Sequence, residues 1–415
     1  MRTIVVNTGT EILLGDVLNT HLTFIAQQIL KLALRVDEQR TVRDGRAIEG
    51  TLRDVFARAD IVFVTGGLGP TTDDVTREIV AELLQLPLLE DPAVRESIGT
   101  RLSVRRIPTT KRVWRQAMVP AGGQALINEN GTAPGIYLPT NVSDAIASPH
   151  LFLLPGPPRE LEPMFKQWVM PILQRIANDS RDFALAKFRL AAVGESIVEK
   201  KIGSKILAIP EIELGYCARP GEVELRVIGT PASVEKAEQI IQSELSDAIF
   251  STSDETLAEV IVRLLRQRNE TLALAESCTG GLLADEVTDV PGASNVFRAG
   301  YVVYANEEKI RLLRVSPESI VRFGAVSEQV AIEMAQGARD ASGVIHAIAT
   351  TGIAGPEGGS PEKPVGTVFV AIASEHEETF CRRFFFPSDR PTFKQLVAMN
   401  AFDPLRKRLL GQALL

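Results

Sequence analysis

Residues 60–74 read DIVFVTGGLGPTTDD. Asp60–Thr65 is a run of mostly apolar residues, several of them β-branched, which predicts a buried strand. Three glycines follow within the next four residues, and Thr72–Leu84 then has the apolar spacing of a helix. In an open parallel sheet, ligands bind beyond the carboxyl ends of the strands, where glycines let a ligand approach the backbone. The stretch therefore predicts an α/β domain with an anion site, for which phosphate is the natural occupant.

The segments on both sides of this stretch repeat the alternation of strand and helix. Thr3–Asn7 and Leu151–Leu154 are apolar runs, whereas Asn19–Leu34 and Ala47–Ala59 carry apolar residues at helical spacing. Apolar strands alternating with amphipathic helices predict a parallel sheet covered on both faces. We assign residues 1–175 to this first domain.

Two further domains follow a polar interruption, NDSRD, at residues 178–182. Residues 183–250 have the order β-α-β-β-α and resemble a small α+β module of the KH type. They lack the GXXG loop with which KH modules clamp nucleic acid, so we interpret them as a linker or dimerisation domain. Residues 254–415 again alternate helix and strand. The predicted fold class is thus α/β, with two α/β domains of mostly parallel sheets joined by a small α+β (KH-like) middle domain.

The composition excludes several classes of protein. The 415 residues are 45% hydrophobic and 23% charged, which is typical of a globular protein. Lys and Arg number 45 against 52 for Asp and Glu, and a net charge of −7 argues against a dedicated nucleic-acid binder. We interpret one basic run as a solvated face; it comprises Arg101, Arg105, Arg106, Lys111, Arg112 and Arg115.

The distribution of the cysteine, histidine and apolar residues indicates where the protein is located. The three cysteines are far apart and the four histidines are isolated, so we expect neither a disulfide framework nor a zinc site. No window approaches 18 apolar residues, so we expect no membrane-spanning segment. These observations predict a cytoplasmic protein.

Carboxylates near the glycine loop are candidate ligands for a hard cation, which prefers oxygen donors. They are Asp16, Asp73, Asp74 and Glu160. The alternative is a tight strand–helix turn in which Thr71, Thr72 and Asp73 only cap the helix. The residues by themselves leave both interpretations open.

Three loops of the first domain carry a family resemblance. They read TGTEILLGD at 8–16, NGTAPG at 130–135 and PGPPRE at 155–160. With the glycine loop, they resemble the molybdopterin-binding domain of molybdenum-cofactor biosynthesis proteins, and more specifically the N-terminal domain of the CinA family. The resemblance implies an ADP-ribose pyrophosphatase that uses a divalent cation, with Asp16 and Asp74 as the first candidate ligands. The substrate-binding residues that we infer are Gly66, Gly67, Gly69, Thr71, Asn130 and Thr132.

A second strand–turn–helix pattern, LALAESCTGGLL, occupies residues 272–283. Ser277 stands where a nucleophile would benefit from nearby backbone N–H groups. The flanking residues fit neither a G-x-S-x-G elbow nor an S-x-x-K motif. Cys278 is adjacent and is intrinsically the stronger nucleophile. The alternative is that Ser277 or Thr279 is an N-cap.

The third domain also resembles the CinA family, in its C-terminal nicotinamide-nucleotide amidohydrolase domain. The segments that carry the resemblance are YVVYANEEK at 301–309, ATTGIAGP at 349–356 and FPSDR at 386–390. It implies that nicotinamide mononucleotide is converted to nicotinic acid mononucleotide and ammonia without a cofactor. Ser277 would be the nucleophile, Lys309 the base and Tyr304 an aid to proton transfer or to orientation. The substrate would be held by Thr279, Gly280, Gly281, Thr351, Gly352 and Arg390, with Arg390 on the phosphate and backbone N–H groups around Thr279–Gly281 as the oxyanion hole.

Alternatives remain for the base and for the whole chain. Lys309 could instead be an exposed helix lysine paired with Glu307 or Glu308. The first domain could be a molybdopterin-type binding module, and the chain could be a non-catalytic factor of DNA uptake or repair. Our prediction is a bifunctional enzyme of pyridine-nucleotide salvage, with nicotinamide mononucleotide and ADP-ribose as small-molecule partners. We expect a homodimer, with the apolar tail Ala398–Leu415 at its interface, and neither a membrane nor a nucleic-acid partner.

Overall fold

The computed structural model describes residues 1–104, 111–177 and 184–414. The chain forms two compact units, residues 1–181 and 182–415. The predicted polar interruption at 178–182 lies outside the described residues, as do Arg105 and Arg106 of the basic run.

The first unit contains a six-stranded sheet in the order β2-β1-β3-β8-β7-β6. Its first four strands pair in parallel, and β7 and β6 extend it in antiparallel fashion. β4 and β5 form a separate antiparallel pair. The strands are β1 Thr3–Thr8, β2 Val36–Val42, β3 Ile61–Thr65, β4 Leu88–Glu90, β5 Met118–Pro120, β6 Gln124–Leu126, β7 Gly135–Leu138 and β8 His150–Leu154.

Helices cover both faces of this sheet. Side chains of a strand alternate between faces, so Ile4 and Val6 of β1 pack in one core and Val5 packs in the other. The predicted arrangement of a parallel sheet covered on both faces is therefore confirmed. The helices are α1 Thr10–Leu14, α2 His21–Leu30, α3 Ala47–Phe56, α4 Thr76–Leu83, α5 Pro92–Val104, α6 Lys111–Trp114, α7 Pro158–Met164 and α8 Met170–Ile176.

The second unit begins with a small α+β module. Its antiparallel sheet has the order β10-β11-β9-β12, and the elements follow the predicted order β-α-β-β-α before a short additional strand, β12. A π-helical turn, Glu199–Gly203, interrupts the first predicted helix. The elements are β9 Ala184–Ala191, α9 Glu195–Val198, α10 Ser204–Leu207, β10 Ile212–Arg219, β11 Glu222–Gly229, α11 Pro231–Leu245 and β12 Ile249–Ser251.

The rest of the second unit is a five-stranded sheet in the order β14-β13-β15-β16-β17. β14, β13 and β15 are parallel, whereas β16 and β17 are antiparallel additions. The strands are β13 Leu272–Glu276, β14 Phe297–Val302, β15 His346–Gly352, β16 Thr367–Ser374 and β17 Phe380–Phe385. The helices are α12 Leu257–Arg268, α13 Leu282–Thr288, α14 Asn306–Leu313, α15 Pro317–Phe323, α16 Glu328–Ser342 and α17 Arg390–Leu409.

Helices again pack on both faces, which confirms the predicted α/β class. Residues of α12 and α17 form one core against the sheet, and residues of α16 form the other. Because Phe402 and Leu409 of α17 are buried in the first of these cores, most of the tail 398–415 packs inside its own unit. The most exposed part of the described tail is the short segment after α17, which includes Leu410.

Among the described residues, no helix is both long enough and apolar enough to cross a membrane.

Candidate active sites

The first site is a cleft of about 510 Å³ at the carboxyl ends of β1, β3 and β8. These three strands are parallel neighbours, so the loops that follow them meet at one edge of the sheet. The glycine loop after β3 forms part of the lining, together with Pro155–Pro158 after β8. The cleft therefore stands at the predicted position, beyond the carboxyl end of the strand that precedes the glycine loop.

The glycine loop requires residues without a side chain. Gly66 and Gly67 have φ angles of +100° and +68°, which side chains rarely tolerate. A Cβ at Gly66 would lie 2.6 Å from the Thr8 carbonyl oxygen, and one at Gly67 would lie 2.1 Å from Thr76 Oγ1. Gly66, Gly67 and Gly69 all line the cleft, as expected for substrate-binding positions.

The interpretation of Thr71, Thr72 and Asp73 as helix caps is wrong. α4 begins at Thr76, and its N-cap residue, Val75, makes no side-chain cap hydrogen bond. Instead, the Thr71 N–H donates to Asp74 Oδ2 at 2.9 Å, and its hydroxyl hydrogen-bonds to Asp73 and Asp74. The hydrogen bond from Thr71 also lowers the pKa of Asp73. Thr71 thus orients two carboxylates, and it does not itself line the cleft.

Carboxylates dominate the charge of the cleft. Asp73, Asp74 and Glu160 line it as predicted, and the described lining residues include no lysine or arginine. Asp16 does not line the cleft; it is exposed, and its N–H donates to the Glu11 carbonyl. Two unpredicted acids, Glu11 and Asp44, line the cleft instead. Among the described residues, no group of three or more His, Cys, Asp or Glu side chains is placed so that it could hold a metal ion.

Asn128, which sequence reasoning missed, holds Glu160 in place. Its Nδ2 donates to Glu160 Oε2 at 2.8 Å and to the Ala133 carbonyl at 2.7 Å. Its Oδ1 accepts the N–H groups of Asn130 and Gly131. The predicted Asn130 is exposed and lies outside the lining, whereas Thr132 belongs to it. In the sequence, Asn128 stands shortly before an Asn-Gly dipeptide, and nothing distinguishes it there from an ordinary turn residue.

His21 and Gln116 are two further lining residues that the sequence did not reveal. His21 Nε2 lies 2.5 Å from the Gly156 carbonyl and therefore carries the proton, while Nδ1 lies 3.1 Å from Thr65 Oγ1. Burial lowers the pKa of His21. Gln116 is 1% exposed; its Nε2 donates to the Leu68 carbonyl, and its Oε1 has no partner among the described residues.

The second site is the turn between β13 and α13. Ser277 is 8% exposed, and its N–H donates to the Thr350 carbonyl of β15 at 3.0 Å. Thr279 Oγ1 lies 2.8 Å from Thr350 Oγ1. These bonds attach the turn to the neighbouring parallel strand. The Ser277 hydroxyl makes no hydrogen bond within the part of the chain that the structure describes.

The carboxylate of Glu276, a residue given no role from the sequence, organises this turn. It accepts the N–H groups of Gly281, Leu283 and Ala284 at 2.9, 3.2 and 2.9 Å. The prediction that Ser277 or Thr279 is the N-cap is therefore wrong, because Glu276 satisfies the helix start and Gly281 is the N-cap. The predicted oxyanion hole is wrong for Gly281, since its N–H is already engaged; the N–H groups of Thr279 and Gly280 remain.

Lys309 is buried at the start of α14. It is 1% exposed, and its Nζ donates to the Tyr304 carbonyl at 3.1 Å. The alternative of an exposed lysine paired with a neighbouring glutamate is wrong, because Glu308 pairs with Arg311. Burial lowers the pKa of Lys309, and the nearby charges of Cys278 and Glu307 oppose this shift. The side chain is thus closer to the neutral form that a general base requires.

Cys278 has the opposite environment for a nucleophile. The side chain is buried, and burial raises the pKa of its thiol to about 12. The thiolate is the reactive form of cysteine, so this thiol is inert at neutral pH. The charge of Lys309 also acts on this pKa, which indicates that the lysine lies near the turn.

Tyr304 and Arg390 meet at the surface. The Tyr304 side chain is exposed, and its hydroxyl accepts a hydrogen bond from Arg390 Nη2 at 2.9 Å. Arg390 Nη1 donates to the Gly355 carbonyl at 3.0 Å. Thr351 is buried, and its hydroxyl donates to the Ala325 carbonyl. Gly352 follows it as the last residue of β15.

Comparison with known proteins covers both units. A model described as "Probable molybdopterin binding domain" matches residues 4–175, and the "CinA C-terminal domain" model matches residues 254–409. A CinA-like protein of Akkermansia muciniphila is 41% identical over 98% of this chain and 97% of its own length. A protein of Moorella thermoacetica named as competence-damage inducible is 40% identical over 98% of both chains.

Solved structures include a competence/damage inducible protein, CihA, from Agrobacterium tumefaciens. It is 35% identical, covers 37% of this chain and 97% of its own, and has a TM-score of 0.35. The full-length relatives and the two family models agree on one assignment. The chain belongs to the CinA family, with a molybdopterin-binding-like N-terminal domain.

Proposed function

We propose that the second unit hydrolyses nicotinamide mononucleotide to nicotinic acid mononucleotide and ammonia. The observation that carries the proposal is the contrast at the turn after β13. Lys309 is buried with a lowered pKa, whereas the pKa of Cys278 is raised to about 12. A depressed lysine supports a Ser–Lys pair, and a protonated thiol leaves Ser277 as the nucleophile.

The proposed chemistry proceeds in two halves. Neutral Lys309 takes the proton of the Ser277 hydroxyl as Oγ attacks the carboxamide carbon of the substrate. The C–N bond then breaks, and the nitrogen leaves as ammonia with the proton that Lys309 returns. Water attacks the resulting ester with the same base and releases the acid and Ser277. The N–H groups of Thr279 and Gly280 are the donors available for the developing oxyanion.

Arg390 is the proposed phosphate ligand, and Tyr304 orients it through their hydrogen bond. We do not assign Tyr304 a separate proton-transfer step, because Lys309 Nζ contacts its backbone carbonyl and its hydroxyl contacts Arg390. The hydroxyl of the buried Thr351 donates to the Ala325 carbonyl, and this contact supports a role for Thr351 in shaping the site.

Ammonia release from nicotinamide mononucleotide tests this proposal. Ser277→Ala should reduce the rate by about 10³-fold or more, as loss of a nucleophile does. Cys278→Ala is the matched control and should retain most of the rate, because the thiol is protonated. Loss in Cys278→Ala with retention in Ser277→Ala would reverse the assignment.

For the first unit we infer hydrolysis of ADP-ribose to AMP and ribose 5-phosphate with a divalent cation. The supporting observation is a cleft lined by carboxylates and without lysine or arginine among its described residues. The negative charges of a diphosphate and of these carboxylates repel each other, and cations would offset this repulsion. Asp73 and Asp74, which share the Thr71 hydroxyl, would hold the cation jointly with phosphate oxygens, an arrangement that Mg²⁺ favours. The bound cation would neutralise charge on the diphosphate.

The test is AMP formation from ADP-ribose with and without added Mg²⁺ or Mn²⁺. We expect no AMP without the cation, and at least a tenfold lower rate for Asp74→Asn. Asp16→Asn is the matched control, because Asp16 does not line the cleft. Cleavage without a cation, or a larger loss for Asp16→Asn, would contradict the proposal. Tight binding of a pterin without cleavage of ADP-ribose would favour the molybdopterin-type module.

We also propose that the protein is cytoplasmic and forms a homodimer. All three cysteines are free thiols, in agreement with a reducing compartment. Light scattering of the full chain would measure the assembly directly, and a monomer mass would refute the dimer.

A further inference from the structure

We propose that His21 is a positioning residue of the first site, and that its neutral ring joins the end of β3 to the loop after β8 across the cleft. The inference rests on the proposed hydrolysis of ADP-ribose and deepens it. Sequence reasoning gave His21 no role, because it stands as one of four isolated histidines.

The imidazole ring bridges two neighbouring strands at their carboxyl ends. His21 is the first residue of α2 and lines the cleft. Its Nδ1 lies 3.1 Å from Thr65 Oγ1, at the end of β3, and its Nε2 lies 2.5 Å from the carbonyl oxygen of Gly156, in the loop after β8. A Cβ on Gly156 would stand 3.7 Å from Gly66 Cα, so this loop also touches the glycine loop. The ring therefore holds together two loops that form the cleft.

The hydrogen bonds of Asn7 fix the direction in which these contacts run. Asn7 Oδ1 accepts from Asn19 Nδ2 and from Gln39 Nε2, both at 2.9 Å, so its amide nitrogen is the group that faces Thr65. Asn7 Nδ2 donates to Thr65 Oγ1 at 2.8 Å. The Thr65 hydroxyl then donates its own proton to His21 Nδ1, and the ring carries its proton on Nε2.

Only a neutral ring with its proton on Nε2 satisfies this chain of hydrogen bonds. A second proton, on Nδ1, would face the Thr65 hydroxyl, which already accepts from Asn7, and one hydrogen bond of the chain would be lost. The first turn of α2 also disfavours a cation, because the N-terminus of a helix carries a partial positive charge. Burial lowers the pKa of His21, and the Gly156 carbonyl and the charge of Glu162 oppose this shift.

The charged side chains that the structure describes along the cleft are all acidic. Glu162 of α7 is the one whose charge acts on the pKa of His21. The others come from α1, the segment after β2, the glycine loop and α7; they are Glu11, Asp44, Asp73, Asp74 and Glu160. Acids favour a charged ring, so burial and the hydrogen-bond chain together keep it neutral at pH 7. Acid below the ordinary histidine range should charge the ring and break the chain.

The experiment compares AMP formation from ADP-ribose in wild type, His21→Gln and His21→Ala from about pH 5 to pH 8, the range in which histidine titrates. The amide of glutamine can donate to the Gly156 carbonyl and does not titrate. At pH 8 we expect His21→Ala to lower kcat/KM by about 10- to 100-fold, as a small misplacement of a site does, and His21→Gln to stay within about threefold of wild type. Towards pH 5, wild type should lose more activity than His21→Gln.

Two controls accompany the comparison. His376→Gln makes the same substitution at a histidine of the second unit whose side chain is 89% exposed, and its pH profile should match that of wild type. Ammonia release by His21→Ala should equal that of wild type, because it reports the other site. Full activity of His21→Ala at pH 8, or parallel pH profiles of wild type and His21→Gln, would overturn the inference.

A spectroscopic measurement separates the inference from the proposed function. Nitrogen NMR of the isotope-labelled full chain reports the tautomer and the pKa of each imidazole, and His21→Gln identifies the signals of His21. We expect the Nε2–H tautomer and a pKa below 6.5 whether or not AMP is formed. The Nδ1–H tautomer, or a charged ring at pH 7, would contradict the role of His21.

Binding tests the same role if wild type forms no AMP. ADP-ribose is titrated into the three proteins at pH 8 in the presence of Mg²⁺. Weaker binding by His21→Ala than by His21→Gln and wild type would support the positioning role although the proposed hydrolysis had failed. Equal binding by all three proteins would refute it.

Discussion

At the scale of single residues, the second site depends on how burial acts on two side chains that differ in charge. Burial disfavours the charged form of either group. It therefore lowers the pKa of Lys309, which makes the lysine more often available as a neutral base. It raises the pKa of Cys278, which keeps the thiol protonated and unreactive. One physical cause thus supports both the base and the choice of serine as nucleophile.

The pH dependence of Lys309 gives a prediction with a definite sign. The folded-state pKa lies below the ordinary value of 10.5, so the neutral form is favoured by folding. Ammonia release by wild type should rise with pH and level off below the range of an ordinary lysine. Lys309→Met should lose about 10²–10⁴-fold in rate, the usual contribution of a general base.

Stability provides a second measurement on the same residue. Between the folded pKa and 10.5 the unfolded state binds more protons, so wild-type stability gains with rising pH across that window. Below it, the buried cation opposes folding. Lys309→Met should therefore resist urea at least as well as wild type at pH 7, and the difference should shrink towards pH 10.5. A variant that unfolds more easily at pH 7 would imply that an unseen anion compensates the lysine.

The sequence predicted candidate residues well where they directly follow a strand. It predicted them less well where their side chains come from other elements of the fold. Ser277 and the three glycines of the first cleft stand directly after buried strands. Asn128 and Gln116 come from other parts of the fold, and only their tertiary position brings them to a site. The same limit explains Asp16: it follows the short helix α1, and Glu11 inside that helix lines the cleft instead.

At the scale of elements, the strands were more predictable than the helix starts. A buried strand shows as an uninterrupted apolar run, and β3 begins within one residue of its predicted start. α4 begins four residues after its predicted start, because Thr71, Asp73 and Asp74 use their hydrogen bonds in a polar loop. Composition alone cannot separate such a loop from a capped helix.

The turn between β13 and α13 yields an element-scale prediction. Glu276→Ala removes one acceptor for three N–H groups, so the free energy of unfolding should fall by about 2–4 kcal/mol. Ammonia release should fall with it, because the turn positions Ser277. Urea denaturation measures the first effect. Glu308→Ala is the control; it removes an exposed pair with Arg311 and should leave the free energy of unfolding nearly unchanged. Equal stabilities of the two variants would show that Glu276 does not hold the turn.

At the scale of the whole molecule, each unit carries its own candidate site on its own sheet. The alternation of apolar strands with amphipathic helices predicted this α/β class. The antiparallel edges formed by β6 and β7, and by β16 and β17, were less predictable, because strand direction follows from connections across the fold rather than from local apolar runs.

Because each unit carries its own site, we expect the two activities to respond differently to chelation and to substitution of Ser277. Chelation of divalent cations in the full-length protein should abolish AMP formation from ADP-ribose and leave ammonia release intact, since the second site is assigned no metal. Ser277→Ala should have the reverse effect. Parallel assays on one preparation make the comparison direct. If ammonia release also disappears with chelator and returns with added cation, the metal-free mechanism is incorrect.

The central claim is that Ser277 is the nucleophile, and trapping of the covalent intermediate tests it most directly. Wild-type protein is mixed with nicotinamide mononucleotide, quenched in acid during turnover and digested for peptide mass mapping. We predict an acyl adduct of the substrate on Ser277, present in Cys278→Ala and absent in Ser277→Ala. An adduct on Cys278, or steady ammonia release by Ser277→Ala, would contradict the account.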